Sequence, residues 1–108
     1  MFTLTQCTPT RYDCTAGYRV DLDKEYTLQE FIVAILTNKK DEWGEIKIKT
    51  AKRDCLWYYC YCIDYRYGNI TSKPNIPEQV FDYKVKSVTA SGGWTTMDYI
   101  VTLEKEVE

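Results

Sequence analysis

Histidine is absent from all 108 residues. Its absence excludes Ser–His–Asp and Cys–His catalytic sets, imidazole acid–base chemistry and every histidine metal ligand. No apolar run reaches the ~18 residues of a membrane-crossing helix, so no membrane partner is expected. With 5 glycines and 3 prolines, the chain has no G-x-x-x-x-G-K-[ST] loop, no G-x-G-x-x-G turn and no G-x-S-x-G elbow. No charge of one sign dominates. Lys plus Arg is 14, Asp plus Glu is 16, and the net charge is −2. That is too little charge to imitate a duplex, and too evenly spread to form the basic face of a nucleic-acid binder. The amino-terminal MFTLTQCTPT lacks the basic region and apolar core of a secretory signal, so a cytoplasmic location is expected.

Cysteine is present, but as an odd number. Cys7, Cys14, Cys55, Cys60 and Cys62 without a signal read as reduced thiols. Cys60 and Cys62 form a C-x-C, which on a strand puts both on one face. That spacing does not suit a zinc knuckle. No metal and no cofactor is expected.

Elements follow from periodicity. Residues 2–8 alternate as a strand, and 9–25 have no clear period and read as a loop or a short extra strand. Thr27 and Glu30 form a T-x-x-E capping box. Leu28, Phe31, Ile32, Ile35 and Leu36 then fall at i, i+3, i+4, i+7 and i+8, which predicts a core-facing helix over 27–38. Residues 41–44 read as a turn. Residues 45–50 alternate, with Ile46 and Ile48 inward and Lys47 and Lys49 outward. These lysines sit in a local excess of cations over 39–53. They either guard an exposed strand or contact an anion or partner.

Residues 55–67 read as one long strand. Trp57, Tyr59, Tyr61, Ile63, Tyr65 and Tyr67 share one face; Leu56, Tyr58, Cys60 and Cys62 share the other. With both faces largely apolar, a central strand covered at least partly on both sides is predicted. Ser91-Gly92-Gly93-Trp94 signals a two-residue hairpin. Uninterrupted pairing around that turn would put Lys84 and Lys86 on the apolar face. One extra residue at Lys86-Ser87, opposite Asp98, instead brings Tyr83, Val85, Val88, Met97, Tyr99, Val101 and Leu103 together. A β-bulge is therefore predicted there.

The expected fold is α+β: a single domain over 1–108, with an antiparallel sheet of about five strands and one helix packed across one face, in the order β-α-β-β-β-β. The second face of residues 56–62 then needs cover, from the 9–25 loop or from a homodimer partner.

Aromatic content is high, at 10 Tyr, 3 Trp and 3 Phe. Tyrosine supplies rigid contact area with a hydroxyl, which suits recognition surfaces. Trp43 and Trp94 both sit beside glycine. They either clamp turns onto the core or, with Arg66 and Asp98, form a pocket that stacks a base and grips an anion. Tyr58, Lys47 and Lys49 extend the candidate binding set. No catalytic residue is assigned, and an enzyme is not expected.

Two stretches, YTLQEFIVAILTNKKDEWGEIKI (Tyr26–Ile48) and VKSVTASGGWTTMDYIVTLE (Val85–Glu104), carry a resemblance. They resemble small uncharacterised proteins of phages and mobile elements of gut bacteria, in which an E-W-G turn follows a helix and Met-Asp-Tyr follows a Gly-Gly-Trp hairpin. The resemblance implies an accessory role in the cytoplasm of a bacterial host, of the kind that inhibits host defences. One expectation is a protein-binding inhibitor of a host protein, such as a CRISPR effector. The other is a binder that sequesters a small nucleotide signal.

Overall fold

The structure is a computed structural model that describes residues 2–8, 15–37, 41–54, 56–71, 75–93 and 95–106. The strands are β1 (Thr3–Gln6), β2 (Ala16–Asp21), β3 (Glu42–Thr50), β4 (Trp57–Asp64), β5 (Gly68–Thr71), β6 (Val85–Gly92) and β7 (Met97–Leu103). The helix α1 (Leu28–Leu36) lies between β2 and β3, and a short 3-10 helix (Glu78–Asp82) lies between β5 and β6. Cys14, Cys55, Trp94 and residues 38–40 at the predicted end of the helix lie outside the described residues.

All seven strands join one sheet in the order β1-β2-β6-β7-β3-β4-β5. It consists of two antiparallel halves, β1-β2-β6-β7 and β3-β4-β5, joined where β7 runs parallel to β3. The expected antiparallel sheet of about five strands, in the order β-α-β-β-β-β, is thus corrected: the chain is mostly β, and its sheet is seven-stranded and mixed. Two local readings and one non-local fact account for the difference. Residues 16–21 form a strand whose inward positions, Ala16, Tyr18 and Val20, are too weakly apolar to announce it. The predicted strand over 55–67 breaks at Asp64, turns through Tyr65–Tyr67 and returns as β5. The β3–β7 pairing joins residues about fifty apart in the chain, which local periodicity cannot register.

The helix forms where its pattern places it. Thr27 is the N-cap, and both arms of the capping box are made. Leu28, Phe31, Ile32 and Ile35 are buried. Phe31 lies tilted against Phe2, ring centres 5.1 Å apart, and meets Tyr99 edge-on at 5.8 Å. Backbone bonds from Leu28 to Tyr83 and from Val85 to Tyr26 tie the helix start to β6. Beneath it, Val20, Val88, Val101, Ile48, Ile46, Tyr99 and Tyr59 line up across the registers on one sheet face. That face and the helix form the core.

The register of β6 and β7 shifts between Val85 and Ser87, so the bulge lies at Lys86. The residue opposite it differs from expectation: Val85 faces Leu103 and Ser87 faces Thr102, with Asp98 opposite Ser91. The turn differs as well. Gly92 pairs with Met97, and Gly93 N–H bonds the Thr96 carbonyl at 2.9 Å, so the connection is four residues long. This close pairing requires glycine at Gly92, because a Cβ there would lie 2.0 Å from the Thr96 carbonyl oxygen. The shift is an even number of residues. Val85, Val88, Met97, Tyr99, Val101 and Leu103 therefore keep the common face expected of them, and all are buried.

Candidate functional site

Among the described residues, the other face of the sheet carries no helix. Registers put Arg19, Thr89, Ile100, Lys47 and Tyr58 in one row across it. A second row holds Asp98, Glu45 and Cys60, and a third holds Trp43, Cys62 and Ile70. Five residues singled out in the sequence, Trp43, Lys47, Lys49, Tyr58 and Asp98, share this face. β4 is central, between β3 and β5, but its cover on this face is thin: Tyr58 and Cys60 are exposed and Cys62 is half-buried.

Trp43 belongs to β3 and not to a turn, because Glu42 and Trp43 already pair with Ile63 and Cys62. Its indole stands 55% exposed. The glycine after it serves the parallel seam. A Cβ on Gly44 would lie 2.1 Å from the Met97 carbonyl oxygen. At this point the β3–β7 ladder is completed by side chains. Glu45 N–H donates to the Asp98 carboxylate at 2.9 Å. The Tyr61 hydroxyl lies 2.6 Å from the Met97 carbonyl and 2.8 Å from the Glu42 carboxylate. A phenol has one proton, so it serves one of these acceptors at a time. Burial, and then the Glu42 charge, raise the pKa values of Tyr61 and Tyr99 well above the ordinary phenol value. Asp98 thus helps close the seam, and it also lines a cavity of about 390 Å³ with Trp43, Glu45 and Cys60.

At the same end of the sheet, β4 and β5 are joined by Tyr65, Arg66 and Tyr67. Turn chemistry closes the tip: the Asp64 carboxylate accepts from Arg66 N–H at 2.8 Å, and Gly68 has φ +79°. Asp64 also holds the guanidinium, at 3.3 Å from both Nε and Nη2. That clasp lowers the Asp64 pKa and raises that of Arg66. The guanidinium carbon lies 6.0 Å from the Tyr65 ring centre and 5.5 Å from that of Tyr67. The two rings stand 74% and 72% exposed. Backbone bonding from Tyr65 to the Asp41 carboxylate braces the tip against the start of β3.

The structure therefore brings Trp43 and Arg66 to one cavity of about 220 Å³, with Asp41, Glu42, Cys62, Ile63, Asp64 and Thr95 as its other lining residues. Three carboxylates surround that space, and its one guanidinium is already paired. Lys47 and Lys49 stand further along β3, with Lys49 3.4 Å from Asp54. Trp94 lies outside the described residues. Tyr65 and Tyr67 are the residues that sequence reasoning assigned to the apolar face. The available signal was the D-Y-R-Y-G pattern, an Asp and a Gly bracketing a tight turn.

Among the described residues, no group of three or more His, Cys, Asp or Glu side chains is placed to hold a metal ion, and no helix is long and apolar enough to cross a membrane. Comparison with known proteins found no matching family model, no matching curated protein and no matching solved structure.

Proposed function

We propose that the chain is a small non-enzymatic protein-binding module of a phage or mobile element. It acts in the cytoplasm of a bacterial host as an inhibitor of a host defence protein, a CRISPR effector being one such target. Its binding surface is the Tyr65–Tyr67 tip with the adjoining open face around Trp43. The observation that carries this reading is the tip itself. Two tyrosines are held out in solvent around an arginine whose direction is set by Asp64. Tyr, Trp and Arg supply most of the energy at protein interfaces. A tip rigid before contact loses little entropy on binding. Two large exposed rings at a hairpin end contribute nothing to a core, so a contact elsewhere is the economical reason for them.

A nucleotide-signal binder finds less support. A phosphate entering the cavity beside Trp43 meets Asp41, Glu42 and Asp64, while Arg66 is already engaged.

The test is binding of the purified chain to a panel of purified defence effectors, alongside melting scans with nucleotides. One effector should form a stable complex, and Tyr67→Ala should weaken it by at least ~2 kcal/mol, or about thirtyfold. A panel without a binder, together with a nucleotide that raises the melting temperature, would overturn the reading in favour of the ligand binder.

A further inference from the structure

Cys60 and Cys62 stand on the open face of β4 as two thiols, the first exposed and the second half-buried. Two residues along a strand span ~6.7 Å, and both side chains leave the sheet in the same direction. A disulfide needs Cβ atoms about 3.5–4.5 Å apart, so this pair cannot close on itself while β4 keeps its pairing with β3. With bonds near the ~2.3 Å of zinc–thiolate contacts, a linear thiolate–metal–thiolate unit spans about 4.6 Å. Leaning each Sγ toward the other along the strand closes the remaining gap of about 2 Å, and strand rotamers allow that lean.

We propose that Cys60 and Cys62 form a two-coordinate site for a soft monovalent d10 ion of the copper(I) and silver(I) class. Binding replaces two S–H bonds by two S–M bonds and releases two protons, with no change of oxidation state. The donor set selects that class. Thiolates favour soft ions. Zinc demands four ligands, and although Glu45 lies across from Cys60 on β3, no group of three His, Cys, Asp or Glu among the described residues is placed to hold a metal. Two-coordinate ions need none. The flanking groups fit as well. Trp43 and Ile70 sit across from Cys62 on either side, shielding it with apolar surface. The indole of Trp43 also borders the cavity of about 390 Å³ that Cys60 lines, so it reports optically on an ion held there.

The experiment titrates silver nitrate into the reduced full chain in chloride-free buffer. It reads native mass, Trp emission and the alkylation of each cysteine by a maleimide. One equivalent should add the mass of one silver less one hydrogen at a given charge state, since the site's extra negative charge is balanced by one added proton, and should quench emission. It should also abolish alkylation of Cys60 and Cys62 together while Cys7 stays reactive. Cys60→Ser and Cys62→Ser should each lose the protection of the remaining thiol. Both are surface changes on an intact β4, which circular dichroism checks. Cys7→Ser should change nothing. Protection shared among all cysteines, or Cys62 protected as well in Cys60→Ser as in the parent chain, would overturn the proposal. No protein partner enters the measurement, so its failure leaves the protein-binding reading untouched.

Discussion

The two faces of β4 have nearly the same chemistry and opposite fates. On one face Tyr59, Tyr61 and Ile63 are buried under the helix layer, and the Tyr61 hydroxyl closes a gap in the backbone ladder. On the other, Tyr58, Cys60 and Cys62 meet no covering element among the described residues, and the strand runs on into a tip of exposed tyrosines. Residue type alone does not decide what a tyrosine is for. The covered tyrosines hold the fold; the open ones leave ring surface in solvent, with Tyr65 and Tyr67 flanking the Arg66 guanidinium.

That contrast can be broken at several points. The largest effect belongs to the covered side. Phe31→Ala removes a ring that touches Phe2, Tyr26 and Tyr99. It should cost about 3–5 kcal/mol in urea unfolding, a large share of a small domain's stability. Gly44→Ala drives a Cβ into the Met97 carbonyl at the seam and should cost about 3 kcal/mol, the upper end of overpacking penalties. Tyr61→Phe keeps the ring but removes the one donor that the Met97 carbonyl and the Glu42 carboxylate share, an expected loss of about 1–3 kcal/mol. On the open side, Tyr67→Ala should shift unfolding by no more than about 0.5 kcal/mol. A loss there as large as that of Tyr61→Phe would erase the distinction.

The smallest effect concerns the clasp at the tip. Hydrogen bonds from Arg66 lower the Asp64 pKa, so the interaction is fully present above the ordinary aspartate value and is lost as pH falls through the lowered one. Ring resonances of Tyr65 and Tyr67 should hold steady down to about pH 4 and move only below it. Movement well above that range would show that the Asp64 charge does not set the tip.

Local chemistry was legible where the pattern was local. The capping box at Thr27 and Glu30, the apolar stripe of the helix and the inward Ile46 and Ile48 follow from spacing alone. The bulge at Lys86 followed because keeping lysines off an apolar face demanded it, although its opposite residue and the turn length did not. What stayed hidden had physical reasons. Tyr65 and Tyr67 continue the period of two beyond Asp64, so alternation runs straight through a turn that only Asp64 and Gly68 mark. Ala16, Tyr18 and Val20 bury little apolar surface per residue and gave β2 a weak signal. The β3–β7 seam depends on Gly44, Asp98, Met97 and Tyr61 meeting from three strands, which no single stretch contains. Of the binding set, Trp43 and Arg66 do share a cavity, but the carboxylates around it and the engagement of Arg66 with Asp64 emerge only in three dimensions.

The proposed division between a face that folds and a tip that binds is tested most directly on one preparation of Tyr67→Ala, by measuring its unfolding free energy and its affinity for an effector that the panel shows the parent chain to bind. The expected result is unfolding within about 0.5 kcal/mol of the parent and affinity at least about thirtyfold weaker. Unchanged affinity, or a stability loss large enough to explain the weaker binding, would contradict it.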